Sequence, residues 1–403
     1  MRNPALVQVL GPLAPFAEGF RGRLEMLGYA PQSRVVHLRV MAHLSRWLEE
    51  RGLDGSALSA PVTDGFIDDR RAAGHRDARS GRSLRPLLEY LREIGSAPQP
   101  VPQPVVGPVE EVLADYAAYL AHERGLGALT IQRSTDLVRP FLAAQAAGNR
   151  LNLEALTAPD VTAFVIARSE SVSPATVQRT GTALRSLLRF LHLRGMVGSS
   201  LVGAVPTAAN WKLAGLPKYL TKEQLAALLT SCDLDTAVGR RDLAILTLLA
   251  RLGLRAGEVA ALRLQDIDWR RGEITVRGKG NQHERLPLPA DVGEVVVAYL
   301  SRFRPAAAAG REVFVGERAP HRALTRGAVT QLVARASRRS GLGTIYAHRL
   351  RHTAATSMLH AGASLEEIGQ VLRHRHALTT AGYAKVDLEG LRALARPWPG
   401  QAA

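Results

Sequence analysis

The sequence predicts a mainly α-helical protein with one small β-sheet, built as helical modules followed by a mixed α+β domain. Apolar residues recur at steps of three and four in residues 24–95 and again in 109–205, which is the period of amphipathic helices. A hairpin pattern occurs at residues 273–288, where two short strands flank the turn Gly-Lys-Gly-Asn. A chain of 403 residues is long enough for two or three buried cores.

Proline and glycine divide the chain into five parts. A proline-rich segment at 98–108 predicts a stiff linker, and residues 206–217, with further Pro and Gly, predict a second connection. The resulting parts are a first helical module (1–97), the linker (98–108), a second helical module (109–205), the connection (206–217) and a last domain with a tail (218–403). Thr221 is the predicted N-cap of the first helix of that domain.

The two helical modules resemble each other in sequence. Leu-Ser-Ala-Pro at 58–61 recurs as Leu-Thr-Ala-Pro at 156–159, and the apolar run at 84–91 recurs at 184–191. These offsets, close to one hundred residues, indicate a duplicated module.

Composition favours a polyanionic partner. The net charge is +16, and residues 218–403 carry 28 Lys and Arg against 17 Asp and Glu. The alternative is an arginine-rich surface with no binding role.

A single cysteine, Cys232, excludes an intramolecular disulfide framework and a cysteine-rich zinc site, and we expect a buried thiol. The most apolar run, 243–254, is too short to span a bilayer, so we expect a soluble, cytoplasmic protein.

The last tenth of the chain contains side chains that could hold and break a phosphodiester. His348 and Arg351 are three residues apart in an apolar-periodic run, so a helix places both on one face. A guanidinium matches two phosphate oxygens, whereas a histidine donates a hydrogen bond or transfers a proton. Tyr383 lies nine residues after His374. A tyrosine hydroxyl, with an unperturbed pKa of about 10, becomes a useful nucleophile where fixed cations stabilise the developing charge.

Four motifs in order resemble those of the tyrosine recombinase (phage integrase) family. His-x-x-Arg begins at 348, Leu-x-His ends at 374, and a tyrosine follows nine residues later. Upstream, residues 253–262 resemble the family's first-arginine motif, and residues 276–281 resemble its lysine-bearing hairpin. The resemblance covers roughly residues 218–390.

The resemblance implies a catalytic set and a mechanism. Two arginines would clamp the scissile phosphate, two histidines would contact its nonbridging oxygens or assist proton transfer, the tyrosine would attack phosphorus, and the lysine would protonate the leaving 5′ oxygen. In the same order, these residues are Arg255 and Arg351, His348 and His374, Tyr383, and Lys279. The product would be a 3′-phosphotyrosyl link, which needs no cofactor, no nucleotide and no metal. The sequence accordingly contains no phosphate-binding G-x-x-x-x-G-K-[ST] loop.

The resemblance also implies a supporting carboxylate and a DNA clamp. Glu258, three residues after Arg255, would orient an arginine, since a carboxylate repels the phosphate. Residues 109–205 would clamp double-stranded DNA. Polar residues at helical spacing there could meet phosphates or base edges, although a solvated face is an equal alternative. They are Thr176, Gln178, Arg179, Thr182 and Arg185. The family often lacks a counterpart of residues 1–97, so the resemblance does not indicate what this module binds.

Several alternatives remain for individual residues. Arg255 could be a cation complementing the C-terminal end of the apolar helix at 242–254, and Lys279 could be an exposed loop lysine. The family usually has glycine before the second histidine, where this chain has Arg373, so His376 could replace His374. Asp266 and Asp268 read as turn residues. The other candidate tyrosines, Tyr219, Tyr299 and Tyr346, lack the interval to His374 and read as core or interface residues, and His352 reads as structural.

The function expected from the resemblance is site-specific DNA recombination for integration, excision or transposition of a mobile element. The alternatives are a type IB topoisomerase-like enzyme that relaxes DNA and a catalytically silent DNA-binding protein. Exchange between duplexes requires a synaptic assembly, which the resemblance implies is a homotetramer on paired sites. Residues 387–396 predict a short helix with one apolar edge, which would dock in the same chain or in a neighbouring protomer.

Overall fold

The computed structural model divides the chain into two compact units, Met1–Pro100 with Gly215–Ala403 and, separately, Val101–Ala214. It describes residues 7–75, 80–100, 107–147, 150–207, 218–278, 283–373 and 380. Helices dominate both units, and the larger sheet has three strands, so the predicted fold class is confirmed. Within the described ranges, every helix is too short or too polar to cross a membrane.

The first module is a four-helix unit with its own core. Its helices are α1 (Ala17–Met26), α2 (Pro31–Glu49), α3 (Ala60–Ala72) and α4 (Gly81–Glu93). Proline is tolerated at the first position of α2 because a backbone N–H there would have no acceptor within the helix, so nothing is lost when proline lacks one. The predicted apolar periodicity is confirmed, since Leu38, Met41 and Leu44 of α2 are fully buried with Leu84 and Leu91 of α4.

The second module forms the other unit. Its helices are α5 (Pro108–His122), α6 (Ala128–Ala144), α7 (Ala158–Ser171) and α8 (Pro174–Leu193), with a minimal hairpin of β1 (Ala146–Ala147) and β2 (Arg150–Leu151). Tyr116, Phe141 and Phe190 are fully buried in its core. Phe190 lies 5.5 Å from Tyr116 between ring centroids, and such tilted aromatic pairs add to the burial of apolar area.

The two modules share a helix order and a packing pattern. In each, the first helix packs on the second, the second on the fourth, and the fourth also contacts the first and third. The repeated Leu-Ser/Thr-Ala-Pro segments at 58–61 and 156–159 lead into α3 and α7 in turn. The repeated apolar runs lie in α4 and α8. The two modules thus share one helical arrangement, and their duplication stays a prediction.

The first module contacts the last domain within their common unit. Glu89 of α4 accepts two 2.7 Å hydrogen bonds from Arg322, and Arg85 donates to the same carboxylate at 2.9 Å. Gly28, in the left-handed region at φ +76°, approaches closely enough that an added Cβ would lie 2.8 Å from the Ala307 Cβ. Glycine is therefore required at this approach.

The last domain is built around a buried helix. Its elements are α9 (Lys222–Thr230), α10 (Ala237–Arg251), α11 (Ala256–Ala261), β3 (Ile267–Asp268), β4 (Glu273–Arg277), β5 (His283–Pro287), α12 (Ala290–Arg302), α13 (Arg326–Arg339), α14 (Ala347–His360) and α15 (Leu365–Val371). Helix α10 contacts α9, α11, α12, α13 and α14. The predicted cap of α9 is confirmed, since Thr221 accepts from Gln224 N–H at 3.2 Å. Cys232 is buried as predicted, and burial raises the pKa of its thiol.

The strands form an antiparallel sheet in the order β3-β4-β5, with Val276 opposite Glu284 and Arg277 opposite His283. The prediction that both aspartates before the hairpin are turn residues holds for Asp268, which accepts from Arg271 N–H at 3.0 Å. It also holds for Asp266, which accepts from the Arg263 N–H at 2.9 Å in a short turn before β3. The prediction missed that this carboxylate is buried and accepts from the Arg277 guanidinium at 2.7 Å, so it also fixes the base of the β4–β5 hairpin.

Candidate active site

Arg255 and Glu258 form the first part of the site. Helix α10 ends at Arg251, and Arg255 is the N-cap of α11, so it begins the next helix and does not lie in the last turn of α10. Glu258 accepts from the Arg255 backbone N–H at 2.8 Å and from its Nη1 at 2.6 Å. This double contact fixes both the backbone and the guanidinium. The Glu258 side chain is 5% exposed and that of Arg255 is 45% exposed, so the arginine keeps a face toward solvent.

Arg351 is the buried centre of the site. It lies one turn after His348 on α14 and is 2% exposed. Its Nη1 donates to the Gly253 carbonyl at 2.6 Å, and its Nη2 donates to the Leu372 carbonyl. Arg351 thereby joins α14 to the loop that carries Arg255 and to the end of α15. The sequence prediction of a phosphate-binding arginine did not anticipate this burial.

Two histidine rings on α14 contact each other edge to face. The rings of His348 and His352 are 4.3 Å apart between centroids, in an edge arrangement. Burial of the ring lowers the pKa of His348, and the positive charges of Arg351 and Arg255 lower it further. The same physics acts more strongly on the second ring, where burial, then His348 and Arg351, lower the pKa of His352 to about 4. Both imidazoles are therefore neutral near pH 7, when each can accept a proton or donate one hydrogen bond.

Arg373, at the end of α15, contacts both Glu258 and Arg255. It follows the C-cap of α15, and its backbone is left-handed at φ +57°. Its side chain is 5% exposed and donates to Glu258 Oε2 at 2.7 Å, while its carbonyl accepts from Arg255 Nη2 at 3.2 Å. Sequence reasoning treated Arg373 only as a departure from the family's glycine. A glycine that is usual at a position indicates a left-handed backbone there. An arginine at the same position therefore signals a side chain with a specific contact.

Three predicted catalytic residues, Lys279, His374 and Tyr383, lie outside the described residues, as does the alternative His376. The residues next to them in the sequence are described. Arg277 and His283 are the last pair of the β4–β5 hairpin, on either side of residues 279–282. Leu372 and Arg373 immediately precede His374 and contact Arg351 and Arg255 through their carbonyls.

The other tyrosines occupy different environments. Tyr299 is 1% exposed and stacks on Phe314 at 5.6 Å between centroids, so it belongs to the core. Tyr346 is 53% exposed at the N-cap of α14, and Tyr219 is 37% exposed near His360.

The predicted DNA-contacting residues lie on α8, in the other unit. Arg179 and Thr182 are exposed, whereas Thr176, Gln178 and Arg185 are half-buried. Arg179 donates to the Ala175 carbonyl at 3.1 Å and to Thr176 at 3.0 Å. Arg185 donates to acceptors of residues 205–207 at 3.0–3.2 Å, so it holds the chain that leaves the module.

We expect acid to destabilise the protein through His352. An unfolded histidine titrates near pH 6.5 and the folded one near 4, so between these values the unfolded chain binds a proton that the folded chain does not. Stability is therefore lost as the pH falls through this window. A shift of this size corresponds to about 3 kcal/mol for a fully buried group, and we expect about 2 kcal/mol here because the ring is partly exposed.

Urea unfolding at about pH 4.5 and about pH 7 measures this loss. His352→Gln should remove the share of the pH dependence that His352 contributes, about 2 kcal/mol, and leave the share of His348. The matched control, His122→Gln, changes an exposed histidine on α5 and should keep it. A full pH dependence in His352→Gln would contradict the assignment.

Two helical modules precede an α+β domain in which Arg255, Arg351 and a neutral His348 lie together, an arrangement suited to an enzyme that acts on a phosphate group. The comparisons with known proteins make the class specific. The "Phage integrase family" profile matches residues 218–389, and the "Phage integrase, N-terminal SAM-like domain" profile matches residues 113–195.

Two relatives and one solved structure extend these matches. A Sinorhizobium fredii protein named as integrase/recombinase y4rA is 40% identical over 97% of this chain and 96% of its own. The tyrosine recombinase XerD of Listeria monocytogenes is 30% identical over 69% of this chain and 95% of its own. The crystal structure of the XerH site-specific recombinase bound to palindromic difH substrate, a post-cleavage complex, has a TM-score of 0.55 at 17% identity, covering 99% of this chain and 100% of that one.

The likeness to XerH shows the shared fold, and the two relatives show the family. The chain belongs to the tyrosine recombinase (phage integrase) family and is an enzyme of the tyrosine-type site-specific recombinase class.

Proposed function

We propose that this recombinase cuts and rejoins double-stranded DNA through a 3′-phosphotyrosyl intermediate, for integration, excision or transposition of a mobile element. The observation that carries the proposal is the convergence of Arg255 and Arg351 on the backbone of residues 372 and 373, immediately before His374. The name of the relative y4rA supports an integrase role, and the DNA-bound XerH complex supports DNA as the partner.

The proposed roles follow from the chemistry of each group. The exposed face of Arg255 binds the scissile phosphate, and Arg351 holds the loop of Arg255 in place while adding positive charge beneath the phosphate. The lowered pKa of His348 leaves it neutral, so it can take the hydroxyl proton of Tyr383 directly or share that role with His374.

The step conserves atoms and charge. The Tyr383 oxygen forms a bond to phosphorus, the bond from phosphorus to the 5′ oxygen breaks, and Lys279 donates a proton to that oxygen. Reversal by a 5′ hydroxyl from another strand completes the exchange. The intermediate keeps the phosphodiester bond energy, so the proposed reaction uses no cofactor.

The remaining parts of the chain have proposed roles in binding DNA and in assembly. Residues 109–205 clamp DNA through the polar face of α8, in which Gln178, Arg179 and Thr182 contact phosphates or base edges. Residues 218–403 carry the catalysis. Four protomers assemble on paired sites, which makes cleavage depend on synapsis and limits stray breaks.

We expect Lys279→Ala to block cleavage of ordinary DNA and to be rescued on DNA with a 5′-thio leaving group. A thiolate departs without protonation, so the general acid becomes unnecessary, whereas an alkoxide needs it. Single-turnover adduct formation on both substrates measures the rescue. As a control, Tyr383→Phe should stay inactive on the thio substrate. Failure of the rescue, with DNA binding intact, would contradict the acid role.

The experiment that tests the proposed function traps covalent complexes on fragmented genomic DNA and sequences the attached ends. A defined set of ends at 3′ phosphates is the expected result, and the absence of adducts would contradict the proposal. Two copies of the mapped site then distinguish the alternatives. Exchange between the copies identifies a recombinase, relaxation of a plasmid without exchange identifies a topoisomerase-like enzyme, and binding alone identifies a silent DNA-binding protein.

A further inference from the structure

Arg373 occupies a backbone conformation that disfavours it. Its φ of +57° lies in the left-handed region, where a residue with a side chain costs about 1–2 kcal/mol relative to the right-handed form. Among the described residues the only other non-glycine residue with positive φ is His321. A glycine would adopt this conformation freely, so the arginine side chain must supply interactions that offset the cost.

These interactions connect three separate parts of the site. The guanidinium donates to Glu258 at 2.7 Å, and its Nε lies 3.7 Å from Glu284 of β5. Glu284 is one residue pair from the last pair of the β4–β5 hairpin, and Lys279 lies between these strands in the sequence. The Arg373 carbonyl accepts from Arg255. One residue thus contacts the loop of the first arginine and the hairpin of the lysine, and it directly precedes His374.

The charges in this cluster give the contact a chemical consequence. Glu258 is buried and lies between two guanidinium groups, those of Arg255 and Arg373. A buried carboxylate must be balanced by a cation, and Arg373 shares that task. If Glu258 were balanced by Arg255 alone, the positive charge of Arg255 would be largely neutralised before any phosphate arrived. With Arg373 present, Arg255 keeps an attractive charge for an anion.

We propose that Arg373 is a positioning residue for DNA cleavage. It balances the charge of Glu258 so that Arg255 stays cationic toward the phosphate, and it holds the β4–β5 hairpin against the segment that leads into His374. This role rests on the proposed function, because it acts through the cleavage step.

The test is a pair of substitutions at Arg373 and Glu258, measured on the mapped DNA site. Single-turnover adduct formation at saturating protein gives the cleavage rate constant, and titration gives the Kd for DNA. R373G should lower the stability only moderately, because glycine removes the backbone cost and Glu258 keeps Arg255 as its other partner, and it should keep the Kd. Its cleavage rate constant should fall about 10²-fold, the size of effect expected when a catalytic group is displaced by about 1 Å.

The decisive readout is whether E258Q slows cleavage less in R373G than in the otherwise unchanged protein. In the unchanged protein, E258Q should slow cleavage, because an amide offers one acceptor oxygen where the carboxylate offers the two that hold the Arg255 backbone and guanidinium. In R373G the same loss should be offset in part, because the neutral amide no longer neutralises Arg255, so the further slowing should be about 10-fold smaller. A merely structural role for Arg373 does not produce this difference. Equal slowing by E258Q in both backgrounds, or an unchanged rate in R373G, would overturn the proposal.

Two controls separate this outcome from other failures. Arg241→Gln breaks another buried pair, Arg241 with Asp242, whose side chains are 9% and 4% exposed. It should lower stability without changing the cleavage rate constant of the folded protein. If the unmodified chain formed no adduct at all, the proposed function and this role would both be wrong. If it formed adducts that R373G matched in rate, only the role of Arg373 would be wrong.

Discussion

Tyr383→Phe is expected to bind its DNA site with unchanged affinity and to form no denaturation-resistant protein–DNA adduct. Phenylalanine keeps the ring but lacks the oxygen that would bond to phosphorus, so no covalent step is possible. Binding depends instead on phosphate and groove contacts that the substitution leaves in place. Electrophoresis of labelled DNA under denaturing conditions measures the adduct, and a gel-shift titration measures binding.

Tyr346→Phe is the matched control for this prediction. Tyr346 is 53% exposed at the N-cap of the helix that carries His348, so it is the exposed tyrosine closest in sequence to His348. Its loss should leave the adduct yield unchanged. An adduct of full yield in Tyr383→Phe would show that another group is the nucleophile, and loss of adduct in Tyr346→Phe would point to that residue.

Arg351→Met is expected to lower both stability and cleavage. Methionine fills part of the volume but donates no hydrogen bond, which leaves the carbonyls of Gly253 and Leu372 without these donors in a buried site. Each buried acceptor left unsatisfied costs about 1–3 kcal/mol, so we expect a loss of about 3 kcal/mol in the free energy of unfolding. Loss of the charge beneath the phosphate should also reduce the cleavage rate constant by about 10²–10³-fold.

Urea unfolding and single-turnover cleavage of the folded fraction measure the two effects separately. Arg338→Met provides the control, since Arg338 is an exposed arginine in the last turn of α13. It should change neither quantity. Arg351→Lys should recover only part of each, because an ammonium is a point charge that cannot reproduce the two-pronged donation of a guanidinium. Stability and cleavage that both stayed unchanged in Arg351→Met would contradict the central placement of this arginine.

Local patterns predicted most of the fold. The period of apolar residues in 24–95 and 109–205 placed six helices, α2, α4, α5, α6, α7 and α8, because burial of one helix face leaves a signature at steps of three and four. The turn chemistry at 278–281 predicted the β4–β5 hairpin, and Thr221 predicted the start of α9. The repeated segments lie at matching places in the two modules, which have the same helix order.

Near the site, the helix before Arg255 was assigned wrongly from the sequence. The apolar run at 242–254 predicted one continuous helix, whereas α10 ends at Arg251 and α11 begins after Arg255. Gly253, at φ +59°, makes this break. The Leu372 side chain packs so closely there that an added Cβ would lie 2.4 Å from it. That contact comes from a segment more than a hundred residues away, so periodicity could not reveal it.

The sequence by itself determined the fold class, the order of the motifs and the candidate residues, because those depend on side-chain type and spacing. Only the tertiary structure decided what each charged side chain holds. Arg351 donates to the carbonyls of residues 253 and 372, and Arg185 donates to carbonyls of residues 205 and 206. A backbone carbonyl is the same acceptor in every residue type, so a partner of this kind leaves no mark in the sequence, and only the folded chain brings it within reach.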